Sequence, residues 1–519
     1  MEKEQIGIKE KVDKYIIILV TVMLFGIITR VVGLGQIPIG INVDEAGTMY
    51  DAYAIANYGT DRFGNIYPVY MINYGGGQSA LYTYLAAILI KVFGFSLTVV
   101  RIPAFIFSIL FMIFGFLLTK EFKDKKLAIL VEFLIVICPW HFMQSRWALD
   151  CNLLSSMLLI SIYILTRAVN KKSKILYFLA GLFFGITLYT YALSYIIIPI
   201  ILLILFTYML YIKKIKISDI IIFGISLGLF AVPLILSVLV NYGIIEEIKL
   251  PFVSILKMWT FRATEINFTN IPHNILYLIK SMFTFDIDDY NAFPIFGTLY
   301  YISIPFVVIG FIDSIKKIKE NIKEKQLSLD IIMTVNFLAV VMCNILIEPG
   351  ISRMNAIYIS LIYYAALGII YVSGNRKEIF KFIIVIYIVF YIAFLSYYFF
   401  VYGKENTNLS FNSEVVGVTE YIEENERFDE KKVNFRVRAI QPYIYTLIGS
   451  KTCPQEFKET AVIDRGAIWS YGRYVFYNNE INDDTIYVID RDETSKEILV
   501  NKGFKVEEYN ENIDILYKD

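Results

Sequence analysis

Two adjacent carboxylates, Asp44 and Glu45, follow the first long apolar run of the chain, in the stretch GINVDEAGTMYDAYAIANYG. A carboxylate beside hydrocarbon raises the free energy of the protein unless it is hydrated, paired or used in chemistry. Placed next to a reacting group, such a carboxylate can take a proton as a general base. Asp44 also has a simpler interpretation as the N-cap of the helical pattern after it, and Glu45 as an acid that favours a helix N-terminus.

Two later segments add two acids and two arginines. MQSRWALDCNLL contains Arg146 and Asp150, and EPGISRMNAIYIS contains Glu348, Arg353 and Asn355. Asp150 has the same simpler interpretation as Asp44, because it stands directly before an apolar run and could cap a helix there. A carboxylate together with guanidinium groups could take a proton and hold a phosphate anion.

The composition indicates an integral membrane protein. Of the 519 residues, 57% are hydrophobic, and the mean hydropathy is +0.58. Long apolar runs alternate with short basic segments, as in polytopic membrane proteins. The net charge of zero gives no reason to expect a nucleic-acid partner. Four cysteines without a CxxC pair, and two histidines, argue against a disulfide framework or a zinc cluster.

The apolar runs and the basic segments together predict about eleven membrane spans. The spans start near Tyr15, Arg101, Leu127, Asn152, Ile175, Ser194, Ser218, Ile295, Leu329, Met354 and Ile379. A further run, Ser79 to Phe95, is assigned to the membrane interface, because counting it as a span would invert every later basic loop. The amino terminus and all basic clusters are then cytoplasmic, and the carboxyl terminus is outside.

This topology places residues 34–100 in a long outer loop, with helices on the membrane surface. Arginine is disfavoured on the outer side, so the outer arginines need partners. They are Arg30, Arg62, Arg101, Arg146, Arg262 and Arg353. We expect Arg30 and Arg101 to extend to lipid headgroups, and anionic phosphate is a candidate partner for the set as a whole. Glu132 is the main charge in the middle of a predicted span.

After about Val401 the sequence becomes charged and polar, which predicts a separate outer domain. KVNFRVRAI, YVFYN, TIYVIDR and IDILYKD are typical of strands, and SEVVGVTEYIEENER and CPQEFKETA of helices. We therefore divide the chain into a membrane domain, 1–402, and a small α/β domain, 403–519. This domain could bind an acceptor, brace the outer loops or be a scaffold without chemistry.

Four segments together resemble the GT-C superfamily of membrane glycosyltransferases, with the closest similarity to its protein O-mannosyltransferase and aminoarabinose-transferase branch. These segments are VDEAGTMYDAYAI, YLAAILIKVFGFSLTVVRIPAFIFSIL, SRWALDCNLL and SRMNAIYISLIYYAALGI. The resemblance implies an all-α polytopic fold with extracellular juxtamembrane helices, followed here by the α/β domain. It also implies a sugar taken from a polyprenyl-phosphate carrier at the outer face, with Asp44 as the catalytic acid, Asp150 as a second acidic position and Arg353 near the lipid phosphate.

The residues are suited to this chemistry. Asp44 would take the acceptor's proton, while Arg353, assisted by Arg146, holds the leaving phosphate. Asp150 would orient the acceptor or a metal, and Glu45 and Asn355 complete the expected substrate-binding set. A single displacement predicts inversion at the anomeric carbon. Two acids allow a divalent metal without requiring one, because arginine supplies similar electrostatic stabilisation.

The expected partners are a polyprenyl-phosphate-sugar donor, membrane lipids and a cell-surface glycan, lipid or protein acceptor, at the plasma membrane. Three other classes stay open. An outer-face glycan polymerase or ligase would use a pyrophosphate-linked oligosaccharide. A transporter would place ionisable residues in the middle of its spans. A non-catalytic scaffold would use the outer loops as binding surfaces.

Overall fold

The computed structural model describes residues 2–73, 76–260, 265–283, 291–404, 411–412, 414–464 and 466–518, with side chains from Lys14 onward. The helices of the membrane part are α1 (Glu2–Val31), α2 (Val43–Tyr58), α3 (Ala80–Phe93), α4 (Leu97–Phe122), α5 (Lys125–Ile137), α6 (Pro139–Gln144), α7 (Leu154–Lys171), α8 (Lys174–Thr187), α9 (Ser194–Tyr211), α10 (Ile217–Asn241), α11 (Ile271–Phe283), α12 (Ile304–Lys323), α13 (Leu329–Leu346), α14 (Tyr358–Ser373) and α15 (Lys377–Tyr397).

Eight helical segments of the described chain are long and apolar enough to cross a membrane. They are Lys14–Val31, Leu97–Phe122, Asp150–Lys171, Ser194–Tyr211, Ile217–Asn241, Leu329–Leu346, Asn355–Ser373 and Lys377–Tyr402. These segments confirm eight of the predicted spans. The fold class, an all-α polytopic membrane protein with an additional α/β domain, is confirmed as well.

The other three predicted spans are helical but shorter or more polar. The helix α5 has 13 residues, because Pro139 starts a new helix after it, and α8 has 14. The span expected near Ile295 begins later, at Ile304, and its second half is rich in lysine. Residues 291–303 form turns and a short 3₁₀ helix before it.

Close helix contacts in the membrane part depend on small residues. A Cβ atom added to Gly310 of α12 would overlap the backbone of Tyr364, and one added to Gly368 of α14 would overlap the backbone of Phe306. Water does not drive helices together inside a bilayer, so this close backbone approach stabilises the pair through van der Waals contact.

The outer loop folds against the membrane helices and the carboxyl-terminal unit. Its short strands are β1 (Ile41–Asn42), β2 (Tyr70–Met71) and β3 (Gln78–Ser79), and β2 pairs with β3. A second short hairpin is formed by β4 (Ile248–Leu250) and β5 (Val253–Ile255). The strand β1 pairs antiparallel with β6 (Phe411–Asn412), so the segment before α2 is joined to the end of the membrane part.

The carboxyl-terminal unit is a seven-stranded mixed sheet with helices. Its helices are α16 (Glu414–Glu423), α17 (Pro442–Ser450), α18 (Pro454–Thr460) and α19 (Ser495–Asn501). Its strands are β7 (Lys432–Arg436), β8 (Val462–Asp464), β9 (Ala467–Tyr471), β10 (Tyr474–Phe476), β11 (Thr485–Asp490), β12 (Lys505–Glu508) and β13 (Ile513–Tyr517), in the order β12-β13-β11-β7-β10-β9-β8. The central strand β7 is parallel to β10 and β11. All four predicted strands and both predicted helices are present.

Candidate active site

A cavity of about 640 Å³ opens where the outer loop meets the ends of several membrane helices. It brings together three of the residues expected from sequence: Asp44, Asp150 and Arg353. The other residues of its lining are Asn42, Val43, Gln78, Trp147, Leu149, Cys151, Tyr191, Glu265, Tyr277, Asn291, Glu348, Pro349, Gly350, Ile351 and Ser352. Four carboxylates and one guanidinium therefore face the same space.

Asp44 stands in the first turn of α2 but is not its N-cap. Asn42 is the N-cap, and its side chain accepts a hydrogen bond of 3.0 Å from the Asp44 backbone N–H. The Asp44 carboxylate is half-buried and accepts a hydrogen bond of 3.1 Å from the Asn73 amide. The N-cap interpretation of Asp44 was wrong, because the strand β1 ends at Asn42 and the helix starts at Val43, two residues earlier than a cap at Asp44 would place it.

Asp150 lines the cavity from a 3₁₀ turn before α7. Its side chain is 4% exposed and accepts two backbone hydrogen bonds, 2.9 Å from Ser79 and 2.7 Å from Cys151. The bond to Ser79 connects this turn to the start of α3, so Asp150 has a structural contact as well as a position at the cavity. Leu149, not Asp150, occupies the cap position of the turn.

Arg353 enters the cavity from the loop between α13 and α14 and is about one third exposed. Its guanidinium lies 3.3 Å from the Glu265 carboxylate and donates a hydrogen bond of 2.8 Å to the Glu348 carbonyl. A partly exposed ion pair of this length stabilises little. Glu265 escaped the sequence analysis because it stands alone in a polar segment, far along the chain from the other acids.

Glu45 points away from the cavity, into the packing between the outer loop and α4. Both of its carboxylate oxygens accept hydrogen bonds of 2.8 Å from Arg101, and one accepts a bond of 2.7 Å from the Ala148 backbone. Neither side chain is exposed. Glu45 thus lies outside the cavity, and Arg101 does not extend to lipid headgroups as expected, because its guanidinium is held by an acid of the outer loop.

Arg146 is also buried and lies outside the cavity lining. It donates hydrogen bonds of 2.7 Å to the Arg30 carbonyl and 2.8 Å to the Val32 carbonyl, and so binds the carboxyl-terminal end of α1. Arg30 is fully buried against the Val136 carbonyl, at 3.0 Å, and the His141 ring, at 2.9 Å. The expectation that Arg30 reaches headgroups is also wrong, because its guanidinium is held by backbone carbonyls and the His141 ring inside the protein.

Asn355 does not line the cavity, but it contacts Cys151, a residue that does. Its side chain accepts a hydrogen bond of 2.9 Å from the Trp140 indole and donates one of 3.1 Å to the Cys151 carbonyl. These bonds connect the start of α14 to α6 and to the turn that carries Asp150. Of the residues expected to bind substrate, Glu45, Arg146 and Asn355 are therefore buried in contacts within the protein.

Another outer arginine joins the outer loop to the carboxyl-terminal unit. Arg62 is buried, pairs with Asp51 at 2.8 Å and donates a hydrogen bond of 3.1 Å to the Tyr443 hydroxyl of α17. Burial alone would lower the pKa of Arg62, but the Asp51 carboxylate raises it above its ordinary value. Tyr445 of the same helix donates a hydrogen bond of 3.2 Å to the carbonyl of Ile41, in the strand β1 that precedes α2.

The remaining arginine of the set expected on the outer side, Arg262, lies outside the described residues.

An apolar groove of about 200 Å³ adjoins the cavity between α9 and α10. Tyr191 and Glu265 line both spaces. The remaining wall of the groove is mostly aliphatic and aromatic, with Leu193, Ile196, Leu234 and Ile347 among its residues. A charged cavity that continues into an apolar groove suits an amphiphile with a polar head and a hydrocarbon tail.

A divalent metal at this site stays an expectation from the sequence. Within the described part of the chain, no group of three or more histidine, cysteine, aspartate or glutamate side chains is arranged to hold a metal ion. The two acids that the sequence offered as ligands for such an ion, Asp44 and Asp150, both line the cavity.

The family described as dolichyl-phosphate-mannose-protein mannosyltransferase matches residues 78–240. This region includes Asp150 but neither Asp44 nor Arg353. No curated protein sequence matches the chain.

Two solved structures of ArnT from Cupriavidus metallidurans have the same fold as this chain over almost its entire length. The apo structure superposes with a TM-score of 0.61 at 10% sequence identity and covers 98% of each chain. The structure bound to undecaprenyl phosphate gives 0.57 at 10% identity and covers 97% of this chain and 98% of the other.

The oligosaccharyltransferase of Archaeoglobus fulgidus, tethered to an acceptor peptide, gives a TM-score of 0.52 at 12% identity over 84% of this chain. The present chain covers 63% of that protein and so spans less than two thirds of its length. At these identities the likeness shows the fold. This chain is therefore similar to the mannosyltransferase family over residues 78–240, and it shares its overall fold with ArnT.

Proposed function

We propose that this protein transfers a sugar from a polyprenyl-phosphate carrier to an acceptor in the cell envelope, which is a glycan, a lipid or a protein. The observation that carries the proposal is the cavity in which Asp44, Asp150 and Arg353 meet beside an apolar groove. The relative bound to undecaprenyl phosphate supports the choice of carrier. The lysine distribution supports an outer location for the cavity and a cytoplasmic amino terminus.

In this proposal Asp44 is the general base. Its half-buried carboxylate receives a hydrogen bond from Asn73 and faces the cavity, so an acceptor hydroxyl could approach it. The hydroxyl gives its proton to Asp44 while its oxygen forms a bond to the anomeric carbon of the donor. The bond between that carbon and the phosphate oxygen breaks, and its electron pair leaves with the carrier phosphate. A single displacement of this kind inverts the anomeric configuration.

Arg353 is proposed to hold the carrier phosphate. Its present partner, Glu265, lies 3.3 Å away in a partly exposed ion pair that a phosphate could displace. Phosphate would then receive two parallel hydrogen bonds from the guanidinium, as in other arginine and phosphate pairs. The apolar groove beside Glu265 would accept the first isoprene units of the carrier.

Arg353→Ala should lower kcat/KM for the polyprenyl-phosphate donor by about 10²- to 10³-fold, because a positioned cation on the developing phosphate charge is lost. Arg353→Lys should restore only part of this, because lysine lacks the planar fork. Initial rates with purified protein and varied donor concentration measure the effect. Arg438→Ala is the matched control, since Arg438 is exposed on the carboxyl-terminal unit and pairs with Asp492 at 2.6 Å. Unchanged donor kinetics in Arg353→Ala would remove this residue from the site.

Asp150→Asn should reduce turnover by roughly tenfold to 10²-fold, which is less than the loss of the base, because Asp150 orients groups rather than moving the proton. Asparagine can accept only one of the two backbone hydrogen bonds, from Ser79 or from Cys151, so part of the loss could come from a weakened turn. Turnover at saturating donor, with circular dichroism as a check on folding, measures the change. Full activity in Asp150→Ala would show that Asp150 only accepts backbone hydrogen bonds and has no role in the reaction.

An outer-face polymerase or ligase that uses a pyrophosphate-linked oligosaccharide is the second candidate, because such an enzyme also needs an arginine at its phosphate site. Mass spectrometry of cell-surface glycans from cells with and without the gene separates the two. Loss of a single sugar substituent supports the transferase, and loss of whole chains or oligosaccharide units supports the alternative.

A further inference from the structure

A second cavity, of about 590 Å³, lies at the end of the helix bundle opposite the candidate active site. It is formed between the middle of α1, from Lys14 onward, the start of α15 and the start of α5, which follows its N-cap, Asp124. Among the residues whose side chains the structure describes, its lining contains five cations and no acid: Lys14, Lys126, Arg376, Lys377 and Lys381. The candidate active site has the opposite balance, with four carboxylates and one arginine.

Little negative charge from the protein compensates these cations. Lys381 pairs with Glu378 at 3.0 Å, an exposed contact within α15. The Lys126 ammonium lies 4.9 Å from the centre of the Phe380 ring. Within the residues described, neither Lys126 nor Arg376 nor Lys377 has a carboxylate within ion-pair distance. The mouth of the cavity therefore favours an anion.

The remaining walls of the cavity are apolar. They consist mainly of Ile18, Val22, Ile129, Leu130, Phe133 and Ile384, and Tyr15 and Phe380 lie nearer the charged end. A free phosphate or a nucleotide would leave these walls facing water or hydrocarbon without a partner. An anion with acyl chains satisfies both the cations and the apolar walls.

Two of the three helices that form the cavity, α1 and α15, are among the least buried of the spans. Only 17% of the Lys14–Val31 window and 22% of the Lys377–Tyr402 window are buried inside the protein. Because these segments contact few protein neighbours, a lipid held between them would add contacts that the helices do not make with each other.

We propose that this cavity binds one anionic diacyl phospholipid, with its phosphate among the five cations and its acyl chains along the apolar walls. Charge complementarity identifies an anionic headgroup, and the lipid-facing opening between helices identifies a membrane component. The carrier of the proposed reaction is not the expected occupant, because the cavity lies at the other end of the bundle from Asp44. The site is independent of the proposed sugar transfer.

Native mass spectrometry of the full-length protein, titrated with phosphatidylglycerol or phosphatidylcholine, tests the proposal. The wild type should bind one phosphatidylglycerol at least tenfold more tightly than phosphatidylcholine. The triple variant Lys126→Gln/Arg376→Gln/Lys377→Gln should lose most of this preference. Each cation removed should lower the affinity for phosphatidylglycerol about fivefold. Ile129→Trp, which keeps every cation but fills the apolar part of the cavity, should also weaken binding of phosphatidylglycerol.

The matched control is Lys171→Gln/Lys172→Gln/Lys174→Gln, which removes three cations that do not line the cavity, in the turn between α7 and α8. It should keep the preference. Equal affinity for the two lipids in the wild type, or an equal loss in the two triple variants, would overturn the proposal, since general surface charge would then account for binding. Displacement of phosphatidylglycerol by equimolar polyprenyl phosphate would also overturn it and assign the cavity to the carrier. If the first triple variant does not fold, Lys126→Gln alone and Ile129→Trp decide between the outcomes.

Discussion

Asp44→Asn should fold and insert normally and lose sugar transfer by about two to four orders of magnitude, which is the usual scale for a positioned base. Asparagine is nearly isosteric with aspartate, and the helix keeps its cap, because that cap is Asn42. The substitution therefore removes the proton acceptor but keeps the helix cap, and the asparagine oxygen can still accept the hydrogen bond from Asn73. Single-turnover rates with purified protein and a saturating polyprenyl-phosphate sugar measure the loss.

Asp124→Asn provides the matched control. Asp124 is the N-cap of α5, at the other end of the bundle, and accepts a hydrogen bond of 2.8 Å from the Leu127 backbone. Asparagine caps helices about as well as aspartate, so this variant should transfer sugar at the wild-type rate. Wild-type transfer in Asp44→Asn as well would show that Asp44 is not the base.

Glu45→Gln should have the opposite effect, with a large loss of stability. The substitution leaves the fully buried Arg101 guanidinium without its charged partner, and removing one member of a buried ion pair costs about 3–5 kcal/mol. Thermal denaturation in detergent, followed at a fixed scan rate because membrane proteins unfold irreversibly, should show a clearly lowered midpoint. The residual folded protein should bind donor as the wild type does.

The double variant Glu45→Gln/Arg101→Gln tests whether the loss of stability in Glu45→Gln comes from breaking the ion pair with Arg101. Since the two residues contact each other, their destabilisations should be strongly non-additive, and the double variant should lose less than the sum of the single variants. A normal denaturation midpoint in Glu45→Gln, together with lost transfer, would instead return Glu45 to the substrate-binding set.

The adjacent acids Asp44 and Glu45 show how far the sequence could predict this site. The DE motif lies in a segment that reaches the cavity, but the direction of each side chain depends on the helix starting after Asn42, where β1 ends. Because the two acids are adjacent on this helix, their side chains point in different directions: Asp44 faces the cavity and Glu45 faces Arg101. Neither the composition nor the spacing of the motif contains that information.

Long-range packing explains the other differences. Arg146 and Asn355 are polar residues in outer loops, so they had the properties of ligand-binding residues, yet tertiary contacts with α1 and with Trp140 bury them. Glu265 was missed because only the folded chain brings it to Arg353. The spans were easier to predict, because hydrophobic length alone determines most of them. The helix α5 differs because Pro139, a local signal, shortens it.

The most direct test of the account uses purified protein, a membrane acceptor fraction and two synthetic donors that carry the same sugar of known anomeric configuration. One donor is linked through polyprenyl phosphate and the other through polyprenyl pyrophosphate. We predict that the wild type releases polyprenyl phosphate from the first donor alone, forms a product of inverted configuration, and that both signals disappear in Asp44→Asn. Consumption of the pyrophosphate donor alone, retention of configuration, or product formation at the wild-type rate in Asp44→Asn would contradict a polyprenyl-phosphate-dependent transfer with Asp44 as its base.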